Sequence, residues 1–175
     1  MTLPPRRLHL GCGEDYRDGF YNVDVNDEVR TDDQFDLERD EWPLPNSHFA
    51  EIRAEHVFEH LDDVAGALAE CRRVLVPGGR LTVVVPVGVN ARTDPDHTHE
   101  WQWETPECYT GARHWDVDVG LSVASRAVRL RSTLPGAIGT AHDLTIQARQ
   151  ARYGPGVWCF GEPHTTGEFE VVFER

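Results

Sequence analysis

The sequence contains no lysine, and all 17 of its basic residues are arginine. Aspartate and glutamate together number 30, which gives a formal net charge of −13. A chain that repels itself this strongly is tolerated where concentrated salt screens its charges. The composition therefore predicts a protein adapted to high salt. It also argues against a nucleic-acid partner, because no basic stripe is present to neutralise phosphates.

Long hydrophobic runs are absent as well. No apolar stretch approaches the roughly 18 residues that a membrane-spanning helix needs, and the first residues lack the apolar centre of a signal peptide. We therefore expect a soluble, cytoplasmic protein that does not contact membranes. The 175 residues correspond to a single domain with its own hydrophobic core.

Cysteine is too sparse and too scattered to build a covalent framework. No two cysteines form a C-x-x-C pair, which argues against a structural zinc cluster and against a disulfide scaffold. The four cysteines are Cys12, Cys71, Cys108 and Cys159.

What the sequence does contain is an alternation of strand-like and helix-like segments. Short apolar or β-branched runs predict strands at 6–10, 20–25, 34–37, 49–54, 81–85, 121–130 and 168–173. A stripe of apolar residues at spacings of three and four predicts a helix over 62–75, which Pro77-Gly78-Gly79 ends. Between 132 and 167 we expect only a short helix or strand, near 144–148. This order predicts an α/β fold with a parallel sheet.

A glycine-rich turn follows the first predicted strand. Gly11 and Gly13 flank Cys12, and a backbone without Cβ atoms lets a ligand approach the carboxyl end of that strand. The dinucleotide fingerprint G-x-G-x-x-G is incomplete, because Tyr16 stands at the third glycine position. Asp24 ends the next strand, where its carboxylate can accept hydrogen bonds from ribose hydroxyls or can simply be exposed to water.

Two segments in the middle of the chain are more specific. Residues 49–61 read F-A-E-I-R-A-E-H-V-F-E-H-L, and residues 70–81 read E-C-R-R-V-L-V-P-G-G-R-L. They resemble class I S-adenosylmethionine-dependent methyltransferases, in the small-molecule (type 11-like) branch, and the resemblance covers about residues 6–88. It implies a Rossmann-like sheet, mostly parallel with an antiparallel last strand, whereas the short connections of this sequence predict fewer helices in the N-terminal half. It also implies a cofactor-binding half over 6–88 and an acceptor region with the last strands over 89–175.

The resemblance implies a set of cofactor-binding positions for S-adenosyl-L-methionine. The glycine turn matches the loop beneath the methionine part of the cofactor. Asp24 with its neighbour Val25 matches the ribose contact, and Asp36 with Leu37 matches the contacts around the adenine. The full set is Gly11, Cys12, Gly13, Asp24, Val25, Asp36, Leu37, Ala54, Glu55 and His56, of which the last three are implied near the sulfonium.

Three departures from the family pattern concern the region around the glycine turn. His9 stands where the family often has an acidic residue, and Asp15 stands where a third glycine is frequent. Residues 14–19 are too few for the usual crossover helix. In addition, no helix is predicted before the first strand to cover the acceptor.

Histidine supplies the candidates for proton transfer, because its pKa lies near neutrality. We predict His60, His97 and His99 as catalytic candidates and favour the first two, with His60 facing the donor methyl group. Each also has a plainer interpretation: His60 as a residue that packs at the start of the helix, and the other two as part of a polar surface loop. In an extended segment His97 and His99 project to the same side, where they can hold an acceptor, act as a base or share a metal with a third ligand. No metal site is predicted.

Residues 56–60 also fit H-x-x-E-H, the inverzincin pattern of zinc peptidases, which requires both histidines on one helical face.

The favoured function is methyl transfer to an oxygen or nitrogen nucleophile of a small-molecule or glycan-type acceptor. D-P-P-Y-type and Pro-Cys motifs for nucleobase chemistry are absent after the fourth strand. Two alternatives stay open: a non-catalytic binding or assembly protein with the same fold, and a zinc hydrolase. The sequence does not determine the oligomeric state.

Overall fold

A computed structural model describes residues 5–112, 116–154 and 164–175. Cys159 lies outside the described residues. The elements, in chain order, are β1 (Arg7–Leu10), β2 (Tyr21–Asp24), β3 (Asp33–Gln34), β4 (Phe49–Glu55), α1 (Val64–Val74), β5 (Leu75–Gly88), α2 (Val89–Thr93), a 3₁₀ helix (Thr105–Tyr109), β6 (Ser122–Ser132), α3 (Gly136–Tyr153) and β7 (Thr165–Glu174).

The seven strands form one sheet in the order β3-β2-β1-β4-β5-β7-β6. The pairs β1–β2, β1–β4, β2–β3 and β4–β5 are parallel, whereas β7 is antiparallel to both of its neighbours, β5 and β6. The expectation of a mostly parallel, Rossmann-like sheet with an antiparallel last strand is confirmed.

The core fills both faces of the central strands, which explains why their sequences read as continuous apolar runs. Leu8, Ile52 and Val83 are fully buried, and α1 packs its predicted apolar stripe against the sheet. The Asp63 side chain caps this helix by accepting a hydrogen bond from the backbone N–H of Gly66 at 2.8 Å. Trp101 also belongs to this core, with 1% exposure.

Three predicted elements differ from those observed. The third strand covers only Asp33–Gln34 rather than 34–37. β5 begins at Leu75, and the register shift between Phe49 and Glu51 on β4 accommodates the residues between Leu75 and Arg80. α3 is an 18-residue helix where a short element near 144–148 was predicted. Among its residues only Gly139 and Ile146 are buried. A helix that buries so little has only a weak apolar periodicity by which the sequence could predict it.

A loop, rather than a helix, connects β1 to β2 over residues 11–20, all of which the structure describes. The fully buried side chain of Asn22 holds this loop: Oδ1 accepts the backbone N–H of Arg17 at 2.9 Å, and Nδ2 donates to the carbonyls of Arg17 and Phe20 at 3.0 Å each. The buried His9 ring lies beside the same amide, with Nδ1 3.3 Å from Oδ1. Burial lowers the pKa of His9 and favours its neutral form. The reduced N-terminal half is therefore stabilised by side-chain hydrogen bonds.

Gly88 joins β5 to α2 at a position that excludes any side chain. Its φ is +74°, and a Cβ there would lie 2.2 Å from the carbonyl oxygen of Thr165 on β7. We expect Gly88→Ala to destabilise the protein by at least about 2 kcal/mol more than Gly78→Ala, because backbone strain and overlap add. Gly78 is the matched control, since its φ is +75° but nothing lies within 4 Å of its Cβ position. Urea unfolding of both variants measures the difference, and equal losses would contradict the overlap.

Candidate active site

The predicted site residues collect at one edge of the sheet. β1 pairs in parallel with β2 and β4, and β4 pairs in parallel with β5. The carboxyl ends of these four strands therefore lie side by side. Ligands bind at this edge in open α/β sheets. The chain places the glycine turn after β1, Asp24 at the end of β2, His56 after β4 and α2 after β5.

The glycine turn and Asp24 form one unit. The backbone N–H of Gly13 donates to Asp24 Oδ2 at 2.7 Å, and Asn26 N–H donates to Oδ1 at 2.9 Å. Gly11 and Gly13 have φ values of +59° and +50°. A Cβ at Gly11 would lie 2.3 Å from Val57 Cγ2, whereas one at Gly13 would meet nothing within 4 Å. The turn is therefore packed on its inner side and open at Gly13.

The other cofactor-binding candidates divide between surface and core. Val25 is 63% exposed, and Asp36 is exposed with its carboxylate accepting the backbone N–H of Glu38. Leu37 and Ala54 belong to the buried core. Cys12 is also buried, and burial raises the pKa of its thiol to about 11. Of this group, Val25 and Asp36 are exposed.

Glu55, at the end of β4, is held by two arginines. Arg17 forms a bidentate pair with it, at 3.1 and 2.9 Å, and Arg53 donates to Oε1 at 2.9 and 2.6 Å. The pKa of Glu55 is lowered to about 2, mainly because Arg17 donates hydrogen bonds to its carboxylate. Sequence reasoning missed Arg17, since nothing in a loop residue's spacing signals a partner on a distant strand. The pair ties the β1–β2 loop to the carboxyl end of β4.

Two cavities lie beyond β4 and β5 and share His56, Pro86 and Asn90. The first, which we call the arginine cavity, has a volume of about 390 Å³. Its remaining lining residues are Arg129, Leu130, Arg131, Thr166, Gly167 and Glu168. The second, the histidine cavity, has a volume of about 530 Å³. Its remaining lining residues are Glu59, His60, Thr93, Asp94, Pro95 and His97.

His60 and His97 meet in the histidine cavity, with ring centroids 4.8 Å apart. His60 Nδ1 lies 3.0 Å from the carbonyl oxygen of Asp96, and His97 Nδ1 lies 3.1 Å from that of Ala91. A carbonyl oxygen only accepts, and each Nδ1 must therefore carry the proton, which leaves the lone pair on Nε2. His99 is not part of this pair; its backbone N–H donates to the carbonyl of Glu59.

Residues 56–60 do not form the zinc-peptidase arrangement. His56 has a φ of +55°, and the segment is a bend and a turn between β4 and α1 rather than a helix. The two histidines therefore do not share a helical face, and the inverzincin interpretation is wrong. The carboxylate of Glu59 lies 3.4 Å from His56 Nδ1 through Oε1 and raises the pKa of that imidazole.

Comparisons with known proteins agree with this geometry. The family described as a methyltransferase domain matches residues 19–83. No curated protein matches the chain. The fold is similar to that of a S-adenosylmethionine-dependent methyltransferase from Archaeoglobus fulgidus, with a TM-score of 0.60 and 14% identity over 98% of this chain and 86% of that one.

Two further solved structures share the fold. One is a S-adenosylmethionine-dependent methyltransferase from Mesorhizobium loti, with a TM-score of 0.54 and 15% identity over 97% of this chain and 90% of that one. The other is phosphoethanolamine N-methyltransferase 2 of Haemonchus contortus in complex with S-adenosyl-L-methionine, with a TM-score of 0.53 and 11% identity over 100% of this chain and 49% of that one.

The protein thus has the Rossmann-like fold of class I methyltransferases. The matched domain and this fold support a methyltransferase with S-adenosyl-L-methionine as its cofactor. They do not favour a non-catalytic relative. The residues present fit the cofactor, because the turn is open at Gly13 and each Asp24 oxygen accepts one backbone hydrogen bond, which leaves further acceptor positions. Within the described residues, no helix is long and apolar enough to cross a bilayer.

The clamp on Glu55 predicts a pH-dependent contribution to stability. Since the pKa of Glu55 falls from its usual 4.5 to about 2 on folding, its contribution is present above about pH 4.5 and is lost as the pH falls toward 2. We expect Glu55→Gln to lower the free energy of unfolding by about 1–2 kcal/mol at pH 7, with allowance for solvent screening, and by much less near pH 2.5. Urea unfolding at constant ionic strength across this range measures the difference.

Glu51→Gln is the matched control on the same strand. It removes the Arg7–Glu51 pair, whose side chains are 49% and 35% exposed, and exposed pairs contribute about 0–1 kcal/mol. If Glu55→Gln lowers the free energy of unfolding by the same amount at pH 7 and at pH 2.5, the proposed contribution of the Glu55 ion pairs is contradicted.

Proposed function

We propose that the protein transfers a methyl group from S-adenosyl-L-methionine to an oxygen or nitrogen nucleophile of a small-molecule or glycan-type acceptor. The observation that carries this proposal is the unit formed by the glycine turn and Asp24, which presents a carboxylate beside an open stretch of backbone at the ligand-binding edge. When bound, the cofactor supplies an electrophilic methyl group on a positively charged sulfur.

Asp24 would hold the ribose of the cofactor, and the backbone around Gly13 would pass beneath its methionine part. The exposed Val25 and Asp36 would lie near the nucleoside. Glu55 has its charge balanced by two arginines, and its role is therefore to position the end of β4 rather than to contact the sulfonium with a free charge. His56, which follows it, is half-exposed and lines both cavities.

The acceptor would occupy the histidine and arginine cavities, in the region over 89–175 that we assign to acceptor binding. Each cavity has the volume of a small-ligand site, and both are lined by hydrogen-bonding side chains, as a hydroxyl-rich acceptor requires. Residues 6–88 would bind the cofactor. Methyl transfer needs donor and nucleophile in line, and such positioning can supply about 7–11 kcal/mol of the barrier reduction.

His60 and His97 are the groups we assign to the acceptor's proton. With Nδ1 donating to a backbone carbonyl, each ring keeps a basic Nε2, which can take the proton of a hydroxyl or an amine in the histidine cavity. The side chain of His97 is only 9% exposed, which holds its orientation, whereas His60 is exposed. His99 we place in a lesser role, since it does not line either cavity.

The acidic composition supports a further part of the proposal, which is that the protein works in concentrated salt. The 30 carboxylates and 17 arginines are compatible with binding in molar KCl, where the Debye length is about 3 Å. A cofactor held by hydrogen bonds at a partly buried carboxylate is screened less than one held by surface charge.

Asp24→Ala is the test of the cofactor site. Calorimetric titration of S-adenosylhomocysteine in molar KCl should show micromolar binding to the wild-type protein. Two hydrogen bonds to a carboxylate are worth about 3 kcal/mol together, and we expect the variant to lose about 100-fold in affinity.

Asp27→Ala is the matched control, because Asp27 is an exposed aspartate of the same loop. Its affinity should stay within about twofold of the wild type, and thermal unfolding should show that both variants are folded. Folded wild-type protein that binds no S-adenosylhomocysteine, or equal losses in the two variants, would sink the proposal.

A further inference from the structure

We propose that Glu59, His60 and His97 form a binding site for a divalent transition-metal ion, with zinc as the reference ion. Each of the three residues offers one ligand atom, and these atoms all lie within 4.8 Å of one another. Two imidazoles and one carboxylate form a ligand set that holds zinc in catalytic sites, which keep a further position open for substrate or water.

The first observation is the burial of a carboxylate that lacks adequate partners. Glu59 is 1% exposed, and neither of its side-chain oxygens accepts a hydrogen bond from the residues that the structure describes. His56 Nδ1 lies 3.4 Å from Oε1, but the His56 side chain is 49% exposed. A buried charge with so little compensation is costly, and a bound cation removes that cost.

The second observation is the orientation of the two histidines. Their Nδ1 atoms donate to the carbonyls of Asp96 and Ala91, and Nε2 is the deprotonated nitrogen in both rings. Metal-ligating histidines almost always donate their other ring N–H to a carbonyl or carboxylate in this way. Hydrogen bonds to two separate carbonyls set the same tautomer in both rings.

The third observation is that the backbone fixes the two chain segments against each other. The carbonyl of Glu59 accepts the N–H groups of Thr98 and His99 at 2.8 and 3.1 Å. The loop that carries His97 is thereby attached to the segment that carries Glu59 and His60. Asp94 Oδ2 lies 3.8 Å from His97 Nε2 and offers a fourth ligand atom at the rim of the cavity.

Closure of the site requires only side-chain movement. Zinc takes nitrogen and oxygen ligands at about 2.0–2.2 Å, and tetrahedral ligand atoms therefore lie about 3.4 Å apart. The ligand atoms, within 4.8 Å of one another, must approach by about 1.4 Å at most. His60 is exposed, which leaves its ring room to turn toward Glu59 and His97.

A metal here would change the chemistry of the histidine cavity. The bound ion would be ligated by the Nε2 atoms of both histidines and would lower the pKa of an acceptor hydroxyl bound to it. The acceptor would then meet the methyl donor as an alkoxide, and its proton would pass to solvent. This consequence rests on the function proposed above, whereas the metal binding itself does not.

The test is titration of metal-free protein with zinc chloride by calorimetry, and with cobalt(II) chloride followed by its visible absorption. We expect one ion per chain, and a loss of affinity of at least about 100-fold in Glu59→Gln, His60→Ala and His97→Ala, since even outer-shell changes cost about 10–100-fold. His99→Ala is the matched control from the same loop and should stay within about twofold of the wild type.

Thermal unfolding of Glu59→Gln distinguishes a ligand from a structural residue. Without metal, the variant should unfold at or above the wild-type temperature, because it removes a poorly compensated buried charge. With saturating zinc the order should reverse, because only the wild type gains stability from the ion. A variant that is less stable than the wild type without metal would assign Glu59 to the His56 ion pair and overturn the proposal.

The proposal also fails if folded wild-type protein takes up no zinc or cobalt, or if the three ligand variants bind as tightly as His99→Ala. These outcomes are separate from those for the cofactor site. Asp24→Ala should bind zinc like the wild type, and Glu59→Gln should bind S-adenosylhomocysteine like the wild type in the presence of a chelator.

Discussion

The buried amide of Asn22 determines how the N-terminal half of this protein is built. It satisfies the backbone of the β1–β2 loop at Arg17 and Phe20, and its own backbone N–H donates to Asp32 Oδ2 at 2.8 Å. A single side chain thus links the first loop, β2 and the entry to β3. Because that loop also carries the glycine turn and Arg17, the positions of both Asp24 and Glu55 at the ligand edge depend on it.

The site is organised in two layers with different physics. On the β1–β2 side, charges are matched within the protein: Glu55 is neutralised by arginines, and Asp24 is held by backbone N–H groups. On the β4–β5 side, the histidine cavity contains the buried carboxylate of Glu59, 3.4 Å from His56 Nδ1, and the adjacent rings of His60 and His97. The first layer has its charges paired within the protein, whereas in the second the carboxylate of Glu59 accepts no hydrogen bond from the described residues.

The sequence predicts well what depends on local periodicity. The stripe of Val64, Leu68 and Cys71 places α1, and the β-branched run after Arg80 places β5. It fails where tertiary contacts decide. α3 buries only two of its residues and therefore lacks a strong apolar stripe.

The candidate site shows the same limit. The alternation of His97 and His99 would project both to the same side of an extended segment, but in the structure the ring of His97 lies against that of His60, and His99 donates its backbone N–H to the carbonyl of Glu59. The buried state of Glu59 also escapes sequence reasoning, because a glutamate in an acidic chain carries no local mark of burial.

The placement of β7 has a consequence for biosynthesis. This strand lies between β5 and β6 and pairs with β5 from Arg80 to Gly88, although it comes last along the chain. During translation, the backbone of β5 therefore has no strand paired with it on this edge until residues 165–174 have emerged from the ribosome. Unpaired strand edges promote aggregation.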